Sequence, residues 1–504
     1  MADTLTLPQE NPAGHELRWY EHIGLNIYWL GINIASGILT PILLPFLVVL
    51  FMPPEQKNTY LATVRVVGLA VAMLVQPIAG TLSDRSTSRW GRRRPYIVAG
   101  TVGNVLFLLV VAASPLFMGS SLDGFFGPTF GVTTAYAVLL AGIVLVQISS
   151  NVSQGAVQGL IPDLVPEKQR GRSSGFKSVL ELLPVFFVVF IGPLVDKGLV
   201  GVVVGIIIAG FIITMLITLI TAREKPQTER PAPLAAEPFL RILALTLIFV
   251  GVTQAAVALV RSAGALLGSA GASLALQITL VGLAGLLAMA GSIFLGVYFG
   301  AWVGIGREAR QQSSFIWWVI NRLMFLAAVG SIQGFAQFFL RDVLLIPRAA
   351  TMTTVLLAVV ALFLIPSSIY GGYLADRVGR KRLVRYAGLI AALGTLVLLF
   401  SRSIPLVIVS GSIIGIGTGT FMATSWALGT DLIPPKDAGR YLGISNLAGA
   451  GAGIVGAGIG GPMADFFNAL RPGLGYLVIF AIYCGLFLIS VLTLSKVKLR
   501  PAAA

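Results

Sequence analysis

The sequence predicts an all-α polytopic membrane protein in which two six-helix bundles flank an additional pair of membrane helices. Three observations predict this fold: an apolar composition, fourteen apolar runs of membrane-spanning length, and two loop motifs that each occur twice. Of the 504 residues, 56% are hydrophobic and only 11% are charged, and the mean hydropathy is +0.90. Soluble domains carry about 25% charged residues. Most of this chain is therefore expected to face lipid.

A helix that crosses the hydrocarbon core of a bilayer needs about 20 predominantly apolar residues. Six runs of about this length predict an N-terminal bundle over 24–222 and cover 24–51, 60–83, 96–117, 134–162, 174–195 and 199–221. Six others predict a C-terminal bundle over 314–496 and cover 314–340, 350–374, 383–401, 405–432, 440–465 and 474–496. Two more, 239–261 and 273–302, are joined by the small-residue stretch 262–272. They predict a membrane hairpin over 239–303 that packs at the edge of the bundle.

Lysine and arginine predict the orientation of these helices, because both residues accumulate in cytoplasmic loops. Their clusters fall on one side of the predicted membrane, at 85–94, 168–177, 223–230, 307–310, 377–385 and 496–500. We therefore expect a cytoplasmic leader over 1–23, cytoplasmic linkers over 223–238 and 304–313, and a cytoplasmic tail over 497–504, in a cell's inner (plasma) membrane. Topology and attraction to anionic lipid headgroups explain the net charge of +15, and no nucleic acid is expected as a partner.

Residue types that support catalysis or metal binding are scarce in the sequence. Cys484 is the only cysteine, and His15 and His22 have no cluster of carboxylates beside them, so neither a disulfide nor a metal site is expected. The glycine-rich stretch 449–461 lies in a membrane run, where close helix packing explains it better than a dinucleotide-binding loop. The sequence predicts neither an enzyme nor a bound cofactor. A polar leader before a long apolar run also predicts a retained first helix rather than a cleaved signal peptide.

Two loop motifs repeat at matching places in the two halves. After the second run of each half the chain reads GTLSDRSTSRWGRRRP over 80–95 and GYLADRVGRKR over 372–382. After the fourth run it reads DLVPEKQRGR over 163–172 and DLIPPKDAGR over 431–440, with six of ten positions identical. Motifs that recur in the same order at the same helix number indicate duplicated bundles, with a binding pocket where the bundles meet.

These loops resemble the signature of the major facilitator superfamily, and the longer form SDRSTSRWGRRRP is similar to that of the sucrose transporters and the glycoside, pentoside and hexuronide cation symporters. The resemblance implies alternating access by rocking of the two halves around a solute held near the middle of the membrane. The hairpin is similar to the extra pair in fourteen-helix members. Plant sucrose symporters carry an aspartate and an arginine at the positions that match Gln147 and Gln158. The resemblance therefore does not extend to sucrose specificity or to their proton-coupling scheme.

The repeated loops also predict a conformational latch. Asp84 and Asp376 would gain from the dipole and free amides of a helix N-terminus in the opposite half, after Arg440 and Arg172 respectively. The glycines permit tight turns, and the arginines can pair with the repeated aspartates or with lipid phosphate. The predicted latch comprises Asp84, Arg85, Gly91, Arg92, Asp163, Arg172, Asp376, Arg377, Gly379, Arg380, Asp431 and Arg440. The alternative is that these residues only supply the positive charge that sets topology.

Polar side chains inside membrane runs predict the lining of a solute cavity, because such residues are costly in lipid. In the fourth run the amides recur at steps of four, three and four, which places them on one helix face. The predicted solute-binding residues are Asn26, Asn33, Gln147, Asn151, Gln154, Gln158, Trp318, Arg322, Gln333 and Gln337, with Thr40 on the same stripe as the first two. Amides, an arginine and an aromatic face suit a polyhydroxyl solute. Hydrogen bonding between helices is the alternative role.

Glu181 is the carboxylate that the sequence places deepest within a membrane run. Burial of a carboxylate favours its protonated form, so Glu181 is a candidate proton carrier. The alternatives are a salt bridge to an arginine and a solvated position at the edge of the cavity.

The sequence thus favours a secondary active transporter of a small polar solute, foremost a sugar or glycoside. Coupling to a proton or another cation is an option that the residues leave open. One alternative is uncoupled facilitation or export of an amphipathic solute. A second is a non-transporting membrane assembly or pigment-delivery factor. We expect a monomer in the lipid bilayer.

Overall fold

Helices form the regular structure of the chain in a computed structural model that describes residues 16–224, 226, 236–306, 312–433 and 438–498, without the side chains of 304–305, 376 and 438–448. No strand occurs in these ranges. The predicted all-α class is therefore confirmed for the described residues. The predicted leader, the two linkers and the tail lie largely outside these ranges, so the predicted domain boundaries stay a prediction.

Helices α1 to α12 belong to the N-terminal part of the chain. They are α1 Trp19–Asn26, α2 Tyr28–Ile38, α3 Leu44–Phe51, α4 Lys57–Asp84, α5 Arg94–Ala113, α6 Asp123–Phe130, α7 Thr134–Gln158, α8 Leu160–Leu164, α9 Arg170–Leu182, α10 Pro184–Val188, α11 Gly192–Asp196 and α12 Val200–Thr221. A π-helical turn, Leu39–Leu43, joins α2 to α3, so that these elements form one continuous span.

Eight further helices, each of at least 20 residues, follow. They are α13 Glu237–Ser269, α14 Leu274–Ile305, α15 Ser313–Asp342, α16 Ala349–Val378, α17 Arg380–Leu399, α18 Ile404–Leu432, α19 Ala438–Leu470 and α20 Leu474–Thr493. Helices α13 and α14 are the predicted hairpin. Both helices run further than their apolar runs, so the turn between them covers only 270–273 rather than the predicted stretch 262–272. Alanine and leucine, which occur in 262–272, are good helix formers, and hydropathy alone does not reveal this.

Twelve of the fourteen predicted runs coincide with helical spans that are long and apolar enough to cross a membrane, among the residues described. The run 174–195 differs because it is divided among α9, α10 and α11. Pro184 and Pro193 begin or interrupt these pieces, since proline has no backbone N–H to continue a helix. The run 440–465 lies in α19, where side chains are described only from residue 449. The count of fourteen crossings therefore stays a prediction.

The two halves repeat one another in helix packing as well as in sequence. In the N-terminal half α7 packs along α4 and α5, and in the C-terminal half α18 packs along α16 and α17. In each half a glycine of the fourth membrane helix, which is α7 or α18, permits this helix to approach its neighbour closely. A Cβ at Gly155 of α7 would lie 2.7 Å from the Gln76 carbonyl oxygen of α4, and a Cβ at Gly419 of α18 would collide with the Leu364 carbonyl of α16. Small residues let helix backbones approach closely in membranes.

The hairpin packs on the outside of the bundle, as the sequence predicts. Helix α13 contacts α19 and α4, and α14 contacts α19, α20 and α15. The outward faces of both helices carry exposed leucines, for example Leu247, Leu259 and Leu287. The hairpin therefore presents an apolar surface suited to lipid and covers the line along which α4 of one half meets α19 of the other.

Replacement of Gly155 by alanine tests the close packing of α7 on α4. The added methyl group would meet backbone atoms at 2.7 and 2.8 Å, which cannot move aside as a side chain can. Overpacking of this kind costs about 1–3 kcal/mol. We expect Gly155→Ala to lower the melting temperature of the purified protein in detergent. Gly205→Ala is the control, because Gly205 of α12 has open space around it, and an equal loss in both variants would contradict the packing argument.

Candidate functional site

A cavity of about 490 Å³ lies between the two halves of the protein. Its N-terminal wall comes from α2, the π-helical turn, α4, α9 and α10, and its C-terminal wall comes mainly from α15, α16 and α18. Apolar side chains form most of the lining. The polar residues among them are Asn33, Ser36, Thr40, Arg65, Glu181, Gln333, Thr353, Ser410 and Thr418. A mostly apolar cavity with a few polar groups is typical of small-molecule sites.

Two predicted solute-binding residues face the cavity from opposite halves. Asn33 of α2 lies on the N-terminal wall and Gln333 of α15 on the C-terminal wall. The Asn33 side-chain nitrogen donates to the Trp29 carbonyl at 2.9 Å, which fixes the orientation of the amide. A hydroxylated solute between the two amides could bond to both halves at once.

The predicted polar face of α7 does not line the cavity in this conformation. Gln147 packs on Gly68 of α4, where a Cβ would lie 3.2 Å from the Gln147 amide nitrogen. Asn151 donates to the Gln147 carbonyl at 2.7 Å. Gln154 is half-buried and Gln158 is exposed. The periodicity shows that these side chains share a helix face, but it does not show which neighbour that face meets.

Three other predicted solute-binding residues hold helices together instead. Asn26 is buried, and its amide nitrogen donates to the His22 carbonyl at 2.8 Å and to the Ser173 hydroxyl of α9 at 2.9 Å. Trp318 is fully buried and its indole N–H donates to the Ser425 carbonyl of α18 at 2.8 Å. The Arg322 guanidinium lies 4.9 Å from the centre of the Trp426 ring. In this conformation the three side chains contact neighbouring helices, and their role in solute binding stays a prediction.

The fourth residue predicted on α15, Gln337, bridges the two halves. With its amide nitrogen turned toward them, it donates to the carbonyls of Pro41 at 3.0 Å and Ile42 at 3.1 Å. These carbonyls belong to the π-helical turn, where the wider winding departs from the regular ladder of α-helical hydrogen bonds. Arg65 of α4 makes a similar bridge, because its guanidinium donates to the Gly330 carbonyl of α15 at 3.0 Å. Both bridges join the N-terminal wall to α15.

Glu181 lies at the edge of the cavity rather than deep in lipid. Its side chain is 31% exposed and pairs with Lys177 one turn earlier on α9, at 3.3 Å. The Lys177 ammonium also lies 4.1 Å from the centre of the Trp29 ring of α2. The predicted arginine bridge is therefore replaced by a lysine bridge, because the i,i+4 spacing on one helix places Lys177 beside Glu181.

One end of the bundle, which we name the closed end, joins the two halves through charged groups. The Lys57 ammonium at the start of α4 meets the Asp342 carboxylate at the end of α15, at 2.5 Å. The Tyr476 hydroxyl of α20 donates to the same carboxylate at 2.5 Å. Lys57 is buried, so this pair is shielded from solvent more than a surface salt bridge is.

Two further carboxylates at the closed end cap helix N-termini of the opposite half. Asp465 of α19 accepts from the backbone amides of Asn58 at 3.2 Å and Thr59 at 2.6 Å, in the first turn of α4. Asp196 of α11 accepts from the amides of Ala350 at 3.1 Å and Thr351 at 2.8 Å, in the first turn of α16. The helix dipole and the free amides both favour a carboxylate there. The two caps are equivalent under the internal repeat, because each joins corresponding helices of the two halves.

Sequence reasoning missed these caps, although a signal for them exists. Asp196 directly follows the fifth run of the N-terminal half, and Asp465 ends the fifth run of the C-terminal half. Carboxylates at matching places of a duplicated chain indicate a shared role. Both aspartates lie at the boundary of a predicted run, where a carboxylate is common and attracts no notice by itself.

The other end of the bundle carries the repeated arginine loops, and we name it the basic end. Arg92 pairs with Asp163 at 2.8 Å, and Arg93 reaches the same carboxylate at 2.9 Å. In the C-terminal half Arg380 pairs with Asp431 at 2.5 Å. The expected pairing of loop arginines with the repeated aspartates is therefore present. Each pair lies within one half.

Asp84 does not contact the opposite half among the described side chains of this conformation, so its latch role stays a prediction. Its side chain is 54% exposed and pairs with Arg93 of its own half rather than with the opposite half. The predicted partner beside Arg440 lies outside the described side chains, as does Asp376 itself. Interhelical capping does occur in the protein, but at the closed end and through Asp196 and Asp465.

The remaining loop residues at the basic end have local roles. Gly91 and Gly379 have φ of 102° and 95°, which explains the repeated glycine, since other residues rarely adopt such angles. The Arg377 guanidinium lies 4.5 Å from the centre of the Tyr373 ring. Burial, and then the positive charge of Arg172, lower the pKa of His22. The predicted residue Arg85 is half-buried at the end of α4.

Glu224 was not predicted and anchors the chain after α12 to the first repeated loop. Its carboxylate accepts from the backbone amides of Arg93 at 3.0 Å and Arg94 at 3.1 Å, at the start of α5. Burial raises the pKa of Glu224, and the hydrogen bonds from the two amides oppose that rise. This cap fixes the loop within the N-terminal half.

Contacts between the two halves close the cavity at one end. At the basic end, the ion pairs of Arg92 and Arg93 with Asp163, of Arg93 with Asp84 and of Arg380 with Asp431 each lie within one half. Among the described residues no three histidine, cysteine, aspartate or glutamate side chains cluster as metal ligands would.

Curated relatives match the chain over short segments. A minor myo-inositol transporter, IolF of Bacillus subtilis, is 33% identical over 88 residues, which are 18% of this chain and 20% of the relative. The sucrose transport protein SUT1 of Oryza sativa is 51% identical over 47 residues, 9% of each chain. SUC4 of Arabidopsis thaliana, also a sucrose transport protein, is 33% identical over 81 residues, 16% of this chain and 15% of the relative. The matched segments thus span a fifth or less of these relatives' length.

Solved structures share the fold over nearly the whole chain. A POT family transporter in complex with 5-aminolevulinic acid has a TM-score of 0.64 at 13% identity and covers 98% of this chain and 99% of its own. The nucleoside transporter NupG has a TM-score of 0.59 at 12% identity and covers 95% and 100%. Identities this low establish the fold alone.

Two family profiles cover most of the chain between them. The profile described as MFS/sugar transport protein matches residues 29–304, more than half of the chain, and the profile described as Major Facilitator Superfamily matches residues 323–503. These families consist of membrane transporters and not of enzymes. The chain is a multi-pass membrane protein that belongs to the major facilitator superfamily.

Proposed function

We propose that this protein is a secondary transporter that moves a small polar solute, foremost a sugar or glycoside, by alternating access. The observation that carries the proposal is the cavity between the halves, with Asn33 on one wall and Gln333 on the other. The family description as a sugar transport protein and the names of the inositol and sucrose transporters support the choice of solute.

The direction in which the cavity faces follows from the distribution of charge. The basic end carries the arginine loops, and such loops stay in the cytoplasm. With both termini cytoplasmic in the plasma membrane, this conformation is inward-facing and the closed end is periplasmic. The bundles over 24–222 and 314–496 are then the two units that rock, and the protein acts as a monomer.

An amphipathic solute is a second candidate, and the cavity lining favours it. Residues such as Val185, Val188, Leu356 and Leu357 surround the few polar groups, so one face of the solute can be apolar. A glycoside with an apolar aglycone satisfies both descriptions. A non-transporting assembly factor would have no use for a cavity bounded by both halves.

Uptake into proteoliposomes tests the solute and the two amides together. We expect labelled sugars or glycosides to enter vesicles, and Asn33→Ala or Gln333→Ala to raise KM by a few-fold to about tenfold, the equivalent of one lost hydrogen bond of about 1 kcal/mol. Gln158→Ala is the matched control, because Gln158 is an exposed amide outside the cavity lining. Uptake that neither cavity variant alters would contradict the assignment of the cavity.

Glu181 is proposed as the proton carrier if transport is coupled. It lines the cavity, and its pairing with Lys177 gives it a counter-ion that protonation would release. We expect Glu181→Gln to let substrate equilibrate across the vesicle membrane but not accumulate under an imposed pH gradient.

The control for this variant is Glu167→Gln, an exposed carboxylate at the basic end that should still accumulate substrate. Accumulation against the gradient by Glu181→Gln would remove Glu181 from the coupling mechanism. Equal rates with and without a gradient in the parent protein would instead favour facilitation.

A further inference from the structure

Besides the contacts of α15 with the π-helical turn and with Arg65, the two halves meet along two lines, which we name the α4/α19 seam and the α11/α16 seam. Each seam ends at the closed end in one carboxylate cap, formed by Asp465 and Asp196 respectively. The chemistry of the caps is the same, since each aspartate accepts from two backbone amides of a helix start. The surroundings of the seams differ.

The α4/α19 seam is closely packed over several turns. A Cβ at Gly461 of α19 would lie 2.5 Å from the Asn58 carbonyl of α4, and a Cβ at Gly458 would lie 3.1 Å from Val66 of the same helix. The Asn58 amide nitrogen donates to Asp465 at 2.8 Å. Both of these residues are buried, so the cap on this side is dry.

The hairpin covers this seam and is interlocked with it. Phe249 of α13 fits between Gly451 of α19 and Gly296 of α14, where an added Cβ would lie 2.6 Å from its ring in either place. Thr253, one turn later, would lie 3.0 Å from a Cβ at Gly458. The same helix, α13, also packs on α4. One hairpin helix therefore contacts both sides of the seam.

The α11/α16 seam has no such cover among the extensive helix contacts of the described residues, because neither hairpin helix packs extensively on α10, α11 or α16. In this seam α16 is contacted by two short helices, α10 and α11, which are separated by a break at 189–191. Asp196 lines a pocket of about 500 Å³ that it shares with Arg341. Water and ions can therefore reach this cap more readily than the buried cap at Asp465.

We propose that the hairpin clamps the α4/α19 seam and makes it the hinge, so that the closed end opens at the α11/α16 seam, with Asp196 as the latch. The inference rests on the proposed alternating access. If the protein opened at the clamped seam, α19 would have to separate from α4. Helix α13 contacts both of these helices and would oppose their separation. Opening at the other seam breaks the Asp196 cap and the contact of Gly192 with Thr351.

Spin-label distances across the two seams test the proposal in nanodiscs without substrate. Cys484 is first replaced by alanine, and labels are placed at the exposed positions 197 and 348 for the α11/α16 seam and 56 and 471 for the α4/α19 seam. Asp196→Ala removes a charge-assisted cap. We expect it to raise the ratio of long to short 197–348 distances at least about tenfold, as loss of one such hydrogen bond predicts.

The same variant should leave the 56–471 distances unchanged. Asp465→Ala, the matched change in the other cap, should also leave them unchanged while the hairpin is intact. Phe249→Ala added to Asp465→Ala should then broaden the 56–471 distances, and Leu247→Ala, on the exposed face of the same helix, should not. Thr253→Ala replaces Phe249→Ala if the latter does not fold.

Two results would overturn the proposal. The first is a 197–348 distance that Asp196→Ala leaves unchanged, and the second is a 56–471 distance that lengthens as much as the 197–348 distance. Because no solute is present, these results are independent of the uptake experiment. A protein that transports no sugar can still open at this seam, and one that transports sugar can fail this test.

Discussion

The free backbone amides at the start of a helix are the constraint on which the closed end depends. A helix leaves its first N–H groups without partners, and a start that is buried must find acceptors. Helices α4 and α16 find them in Asp465 and Asp196, which belong to the opposite half. The two halves must therefore be in contact for both starts to be satisfied without water. If the halves separated, water would have to replace the carboxylates as acceptor for these amides.

The charged groups at the basic end are arranged differently from those at the closed end. Arg92 and Arg93 pair with Asp163, and Arg380 pairs with Asp431, so each of these ion pairs joins residues of the same half. Glu224 caps the start of α5 within its own half in the same way. Charges satisfied locally do not resist separation. Bonds between the halves are thus characteristic of the closed end, and ion pairs within a half are characteristic of the basic end.

The sequence alone predicted the duplicated bundles, because the apolar runs and the repeated loops can be read in it directly. It did not predict which surface each polar residue meets. Trp318 and Gln333 lie on the same predicted face of α15, yet one packs into the C-terminal half and the other reaches the cavity. Glu181 acquired a lysine partner, and Asp84 bonded within its own half. Such choices depend on helix rotation and conformational state, which periodicity does not specify.

Accessibility of the cavity from each side of the membrane is the most direct measurement of this arrangement. Ser36 is exposed and lines the cavity, so Ser36→Cys in a Cys484→Ala background places one thiol there. A membrane-impermeant maleimide should label it faster from the basic end, in inside-out vesicles, than from the closed end, in right-side-out vesicles. Lys197→Cys, exposed at the closed end, should show the opposite preference. Faster labelling of Ser36→Cys from the closed end would contradict a cavity that opens at the basic end.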